Sequence, residues 1–270
     1  MRLGLGSYGL AWAIGVPGFP VPAPLDAFGL VGRAVEWKLR VVEIDDNLPL
    51  HLLPPRDLAA LRALAAGAGV TLEVGMRGLL EDRVARHLEI AGALGAVMLR
   101  AVIDAPGFAP APEEVVALLR RLAPALERAG VTLAIENHDR FPSAELAEMV
   151  RAARSPRVGI CLDTVNSLGA LEGPALVVEN LGPLTVNLHL KDFTVRRAGH
   201  GMGFAVEGVP AGQGRLDIPW LLSRLRALGR DPHAILEQWV PPEVDLEHTV
   251  AKEREWAEQS LAYLRPLFAG

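Results

Sequence analysis

The chain has a single cysteine, few aromatic residues and no excess of positive charge. Its one cysteine among 270 residues, Cys161, can form no intramolecular disulfide, which is typical of a protein from a reducing compartment. A formal net charge of −5 and the lack of any basic run argue against an extended surface for nucleic acid. We therefore expect a cytoplasmic protein without a nucleic-acid partner.

The chain also lacks an uninterrupted hydrophobic run. Its longest uncharged stretch, from Leu3 to Leu25, contains glycines and prolines that a membrane-spanning helix would not tolerate. The same interruptions differ from the compact apolar centre of a signal peptide. We therefore predict no membrane partner.

What the chain does contain is a regular alternation of two kinds of segment. Short aliphatic and β-branched runs are followed by longer Ala-, Leu- and Arg-rich segments with helical periodicity, the pattern of βαβ units. The predicted strands are Arg2–Gly6, Arg40–Asp45, Val70–Gly75, Ala96–Ile103, Val131–Glu136, Val158–Asp163, Thr185–Leu190 and His233–Trp239. Eight units in 270 residues give about 34 residues each, as in a (β/α)₈ TIM barrel. We predict one such domain over residues 1–270.

A doubly wound open sheet is the alternative fold. Gly4, Gly6 and Gly9 fit the G-x-G-x-x-G pattern of dinucleotide-binding folds. That pattern needs a helix directly after it to bind the pyrophosphate, whereas Pro17 and three further prolines follow here. The barrel remains the prediction.

Four predicted strands in the second half end in a polar residue of metal-ligand type. Period-two alternation places these residues on the inward faces of their strands, and in a closed barrel they converge at the C-terminal mouth. They are Glu136, Asp163, His189 and Glu237. A single acid at a strand end often only caps a helix, but four in register favour a cation. Three carboxylates and an imidazole suit one divalent metal ion, with Mn²⁺ expected first and Mg²⁺, Co²⁺ or Zn²⁺ as alternatives.

The motifs around these four residues resemble the sugar phosphate isomerase/epimerase family, which has a xylose-isomerase-like TIM barrel. They are Ile135-Glu136-Asn137-His138, Cys161-Leu-Asp163-Thr164-Val-Asn166, Leu188-His189-Leu-Lys191-Asp192-Phe193, Gly212-Gln-Gly214-Arg-Leu-Asp217 and Leu236-Glu237. The resemblance implies a divalent metal held by Glu136, Asp163, His189 and Glu237. It also implies that Glu136 and Glu237 act as the acid/base pair on opposite sides of the substrate.

From this resemblance we expect a metal-dependent isomerase or epimerase of carbohydrate metabolism. Its substrate would be a small polyhydroxylated carbonyl compound, a sugar or sugar acid, that reacts through an enediolate. Loss of CO₂ from a 3-oxo sugar acid produces the same kind of enediolate, so a decarboxylase is the alternative. A non-catalytic sugar-binding barrel is a third hypothesis.

Position 166 separates this chain from some members of the family. Endonuclease IV carries a histidine there as part of a trinuclear zinc cluster, and this sequence has Asn166 and lacks the further histidines on earlier strands. We therefore do not expect DNA repair activity. Several ketose 3-epimerases also have histidine at this position, so Asn166 weakens a simple 3-epimerase assignment.

Several cationic side chains are expected near the mouth and favour an anionic substrate. They are Arg77, Arg100, Lys191 and His138. The alternative for Arg77 and Arg100 is purely structural, with each arginine paired to Glu43 or Glu73.

The remaining candidates are aromatic residues and a long connection. Tyr8, Trp12 and Trp239, together with Asn166, are candidates for substrate contact, and packing is the alternative for the aromatic residues. Residues Thr194–Gly214, with six glycines, are predicted to form a long loop, either a lid or a simple exposed loop. The apolar side of the C-terminal helix is compatible with a homo-oligomer.

Overall fold

The structure is a computed structural model that describes residues 1–268, and its centre is a closed barrel. In chain order, the strands are β1 (Leu3–Gly6), β2 (Val41–Ile44), β3 (Thr71–Arg77), β4 (Met98–Val102), β5 (Thr132–Glu136), β6 (Val158–Asp163), β7 (Thr185–Leu190), β8 (Asp192–Arg197), β9 (Phe204–Val209) and β10 (His233–Leu236). All except β8 and β9 pair in parallel, and the barrel closes between β10 and β1. The predicted single-domain (β/α)₈ barrel is confirmed.

Helices cover the outside of the barrel. They are α1 (Ala11–Ile14), α2 (Ala27–Glu36), α3 (Pro55–Ala68), α4 (Glu81–Leu94), α5 (Pro112–Ala129), α6 (Ser143–Ala153), α7 (Pro174–Leu181), α8 (Ile218–Ala227) and α9 (Leu246–Leu264). Gly69, Gly95 and Gly130 end α3, α4 and α5 in the left-handed conformation, which glycine adopts without strain. Within residues 1–268, no helix combines the length and apolar character that a membrane span requires.

Side-chain alternation along the strands separates an apolar layer from a polar interior. On β5, Leu133 and Ile135 point outward into the main hydrophobic core, while Glu136 points into the barrel. Buried Glu43, Glu73 and Asn187 also lie inside the barrel, joined by hydrogen bonds. The hydrophobic core therefore lies between sheet and helices, and the barrel interior is free to carry ionisable groups.

The prediction of a long loop over Thr194–Gly214 is wrong for residues 194–209, which belong to a β-hairpin. Strand β8 begins two residues after β7 ends, and it pairs antiparallel with β9 over six residue pairs. Three of the six glycines that suggested a loop lie in the tip, residues 198–203, where Gly201 and Gly203 have positive φ. The base is closed by the Asp192 carboxylate, which accepts backbone N–H groups from Gly212 and Gly214 at 2.9 and 3.0 Å.

Candidate active site

The four predicted metal ligands meet at the C-terminal ends of their strands. His189 Nδ1 lies 3.3 Å from Glu237 Oε2, 3.7 Å from Glu136 Oε1 and 4.0 Å from Asp163 Oδ2. All four residues are at most 2% exposed. We refer to these four side chains as the acidic cluster.

Neighbouring polar groups orient two carboxylates of the acidic cluster. Asp163 Oδ1 accepts the backbone N–H groups of Val165 and Asn166, both at 2.8 Å, which leaves Oδ2 facing His189. The Asn166 side chain donates to Glu136 Oε1 at 2.7 Å. Asn166, predicted to contact substrate, is therefore a hydrogen-bond partner of Glu136 in this structure.

Two cationic side chains, the partly buried Lys191 and the buried Arg100, neutralise part of the acidic cluster. Lys191 Nζ lies 2.8 Å from both Asp163 Oδ2 and Glu237 Oε2. Arg100 is paired with Glu136 and also lies 3.1 Å from Asp46. These contacts make three carboxylates in one buried place electrostatically tolerable.

Neither Arg77 nor Arg100 pairs with Glu43 or Glu73, the partners named in the structural alternative. Arg77 Nε lies 3.2 Å from Asp46 Oδ2, and Arg100 also contacts Asp46. The register explains the difference, because Arg100 is level with Gly75 on β3, one inward position beyond Glu73. Both arginines therefore lie nearer the mouth, although each is already paired with a carboxylate.

The two glutamates of the acidic cluster have different surroundings. Burial alone would raise the pKa of Glu136, but the Arg100 guanidinium and His189 hold that pKa well below its usual range. Burial acts in the same direction on Glu237, where the charges of His189 and Lys191 lower the pKa to about 2. Burial would lower the pKa of Lys191, but Asp163 and Glu237 raise it well above its usual value. Both carboxylates are therefore ionised, and Lys191 carries a proton.

The acidic cluster fits a divalent cation. Its inward-facing ligand atoms have no hydrogen-bond partner among the residues described. Lys191 lies near two of them and Arg100 near a third, in each case without hydrogen-bond geometry. These atoms are Glu136 Oε2, Asp163 Oδ2, His189 Nδ1 and both carboxylate oxygens of Glu237. Buried acceptors without partners are unfavourable unless a ligand satisfies them. Three carboxylates and one imidazole suit Mg²⁺, Mn²⁺, Co²⁺ or Zn²⁺.

Cys161 also lies beside Glu136 and His189, within 4.8 Å of possible ligand atoms. Burial raises the pKa of its thiol, so the sulfur stays protonated. Only the thiolate is an effective metal ligand. Cys161 is fully buried in the barrel interior.

The other predicted contact residues lie farther from the acidic cluster. The Tyr8 hydroxyl donates to Asp46 at 3.1 Å, which places Tyr8 beside Arg77 and Arg100. His138 Nδ1 lies 2.7 Å from Asp139 at the surface.

The two tryptophans make packing contacts near the mouth. Trp12 donates its indole N–H to the Val240 carbonyl at 2.9 Å and packs edge-on against Phe19. Trp239 contacts the hairpin closely at Gly208. A side chain at that position would not fit, because its Cβ would lie 2.2 Å from the Trp239 carbonyl oxygen. A role in substrate binding stays a prediction for both.

Two acids at the mouth were missed by sequence reasoning. Asp45 and Asp46 follow β2 directly. This strand-end position, which resembles that of the acidic cluster, could have identified them from the sequence. Both line a cavity of about 500 Å³ at the ends of β2 and β3, together with Arg77 and His51, and no residue of the acidic cluster lines it. Their carboxylates can accept hydrogen bonds from hydroxyl groups of a ligand.

Comparison with known proteins agrees with this architecture. A family profile described as a xylose isomerase-like TIM barrel matches residues 31–267. The chain belongs to this family. The match confirms the resemblance seen in the motifs. This xylose isomerase-like barrel is 34% identical over 264 residues to the 3-oxo-isoapionate decarboxylase of Pectobacterium atrosepticum, covering 98% of this chain and 95% of that enzyme.

Solved structures of the same fold include a D-psicose 3-epimerase determined in the presence of D-fructose. It is 17% identical with a TM-score of 0.74, and the superposition covers 100% of both chains. A Mycobacterium smegmatis xylose isomerase-like barrel in complex with magnesium is 13% identical with a TM-score of 0.70, covering 97% of each chain. At these identities, the likeness establishes the shared fold of this xylose isomerase-like barrel.

Proposed function

We propose that this protein is a metal-dependent decarboxylase of a small 3-oxo sugar acid. The observation that carries the proposal is the unequal pairing of the two glutamates in the acidic cluster. Glu136 faces the Arg100 guanidinium, which stays protonated, and accepts a hydrogen bond from Asn166, whereas Glu237 Oε2 lies 2.8 Å from Lys191 Nζ, an amine that can release a proton. The similarity to 3-oxo-isoapionate decarboxylase over 98% of the chain supports the same reaction class.

The number of protons that must move distinguishes the two reactions. An epimerisation removes a proton from carbon and returns one to the opposite face, so it needs two groups able to exchange protons. Decarboxylation breaks a carbon–carbon bond and needs one proton for the carbon that loses CO₂. Arg100 beside Glu136 cannot release a proton, whereas Lys191 beside Glu237 can, so the site offers one proton donor and the second requirement fits it better.

The residues of the site supply the groups that this reaction needs. When bound, a divalent cation held by Glu136, Asp163, His189 and Glu237 would polarise the substrate carbonyl. As the bond to the carboxylate breaks, its electron pair moves onto the carbon next to the carbonyl to give an enolate. Lys191, held 2.8 Å from Glu237 and Asp163, donates the proton that this carbon takes up. Asp45 and Asp46 accept hydrogen bonds from the sugar hydroxyls.

The proposal is tested with 3-oxo-isoapionate and a panel of ketoses in D₂O, using the Mg²⁺-loaded protein. We expect CO₂ release and the incorporation of one solvent deuterium at the carbon that lost the carboxylate. NMR detects the deuterium, and a coupled assay measures the CO₂. Glu237→Gln protein is the control, because 3-oxo acids also lose CO₂ spontaneously. CO₂ release no faster than in this control would refute the proposal.

An isomerase or epimerase is the second candidate, supported by the presence of both glutamates in the acidic cluster. It predicts deuterium exchange into a ketose without CO₂ release in the same experiment. Absence of both signals would favour the non-catalytic sugar-binding hypothesis.

A further inference from the structure

A column of polar side chains runs through the barrel interior below the acidic cluster. Glu43 Oε1 lies 2.5 Å from His189 Nε2, and the Asn187 amide donates to Glu43 Oε2 at 2.5 Å. The same amide donates to Glu73 Oε2 at 3.1 Å, and His233 lies 2.6 Å from the other oxygen of Glu73. We call these five side chains the interior column. It connects the acidic cluster to the N-terminal end of the barrel.

We propose that Glu43 is the positioning residue that prepares His189 to bind the cation. A neutral imidazole carries its proton on one nitrogen and offers a lone pair on the other. Because Nε2 faces the Glu43 carboxylate, the proton belongs on Nε2. When a cation binds, it displaces the remaining proton of the imidazole, and the lone pair of Nδ1 points toward Glu136, Asp163 and Glu237. This inference rests on the cation site of the proposed function.

Glu43 is better placed as a partner of His189 than as a ligand itself. Its carboxylate lies within 4.8 Å of possible ligand atoms of His189 and Glu237. Both Glu43 oxygens are already engaged, one by His189 and the other by Asn187. The oxygens of Glu237, in contrast, have no hydrogen-bond partner within residues 1–268. Histidine ligands commonly donate their second N–H to a carboxylate in this way.

Strand geometry fixes the position of Glu43 from two sides. Asn187 and His189 are two residues apart on β7, so both side chains point inward and bind the two oxygens of one carboxylate. Glu43 is fully buried. The imidazole ring therefore has little freedom to rotate.

Glu73 provides a matched control within the same column. It is opposite Glu43 in the β2–β3 register, is also buried and shares the Asn187 amide, but its remaining partner is His233 rather than His189. Glu43→Gln and Glu73→Gln each replace one buried carboxyl group by an amide of similar volume. A purely structural role would affect cation affinity in both variants alike.

The first experiment measures Co²⁺ affinity by isothermal titration calorimetry in the wild type and both variants. We expect Glu43→Gln to weaken binding by about 10- to 100-fold, the usual effect of removing such a partner, and Glu73→Gln to keep an affinity near wild type. Circular dichroism of the metal-free proteins establishes that the variants are folded. Equal affinities for the two variants, or a wild type that does not bind Co²⁺, would overturn the inference.

A second measurement needs no variant, so it remains decisive if Glu43→Gln does not fold. Nitrogen-15 NMR of Zn²⁺-loaded protein labelled at histidine reports which ring nitrogen of His189 carries the proton. We expect the proton on Nε2, and a proton on Nδ1 would contradict the assignment. If both tests give the expected result but the protein releases no CO₂, this inference stands and the proposed reaction is refuted.

Discussion

At the scale of single residues, Lys191 contacts the same carboxylates that a bound cation would use. Its ammonium group lies 2.8 Å from oxygens of Asp163 and Glu237, two of the carboxylates that fit a cation. A bound cation and Lys191 therefore repel each other while sharing the same oxygens. If the proposed function is correct, we expect the ammonium to turn toward the substrate when the cation binds.

We predict that Lys191→Met separates catalysis from cation binding. Loss of the proton donor should lower kcat/KM for CO₂ release by about 100-fold or more, within the range for general acid catalysis. Cation affinity should stay equal or increase, because a positive charge has been removed. Steady-state assays and Co²⁺ titration check both parts. A variant with weakened cation binding and unchanged kcat would contradict this role.

The residue scale also shows what the sequence could and could not predict about the site. Glu136, Asp163, His189 and Glu237 were predictable because strand alternation alone determines which side chains face inward. The partnership of Glu43 with His189 joins residues 146 positions apart. It depends on how the barrel closes, and no local pattern reports that.

At the scale of elements, the barrel strands could be predicted from the sequence, whereas helix α2 and the β8–β9 hairpin could not. The eight strands are aliphatic runs between helices, whereas α2 follows a proline-rich stretch that obscured its start at Asp26, the N-cap that accepts the Gly29 N–H. The β8–β9 hairpin was missed because its glycine-rich tip dominates the local composition. Its position depends on contacts of Asp192 with Gly212 and Gly214, and of Gly208 with Trp239, which no local pattern reports.

One element contact should make stability depend on pH. Glu253 on α9 accepts the backbone N–H groups of Trp12 and Ala13 at 2.8 and 2.9 Å, and so joins α9 to α1. Burial raises the pKa of Glu253 from 4.5 to about 7, although the two N–H groups act in the opposite direction. A folded-state pKa above the unfolded value means that this contribution is complete below pH 4.5. It is lost as the pH rises through about 7.

We therefore predict that Glu253→Gln makes the free energy of unfolding less dependent on pH. The wild type should lose roughly 3 kcal/mol more than the variant between pH 4.5 and pH 8, from the pKa shift at 1.36 kcal/mol per unit. Urea unfolding of both proteins at the two pH values measures the difference. Parallel pH profiles would show that Glu253 does not titrate in this range.

At the scale of the whole molecule, the ligand atoms of the acidic cluster that lack a hydrogen-bond partner link cation binding to stability. A ligand that binds only the folded state stabilises it by about 2.7 kcal/mol at 100 times its Kd. For a chain of this size, this corresponds to an increase in Tm of roughly 5 to 10 °C. The same cation should therefore protect the fold and enable the reaction.

Thermal unfolding with and without Mn²⁺ tests this link, with Asp163→Asn as the matched variant. Asparagine keeps an oxygen for the Val165 and Asn166 N–H groups but removes the carboxylate that faces His189. We expect Mn²⁺ to raise the Tm of the wild type and to leave that of the variant almost unchanged. Equal increases in both would place the bound Mn²⁺ outside the acidic cluster.

The division between an outer apolar layer and a polar interior has an evolutionary consequence. Leu133 and Ile135 maintain the fold from the helix side of β5, while Glu136 on the same strand faces the barrel interior, where we propose that the reaction takes place. A mutation can therefore change an inward residue without disturbing helix packing. Related barrels can diverge in substrate and reaction while their scaffold persists.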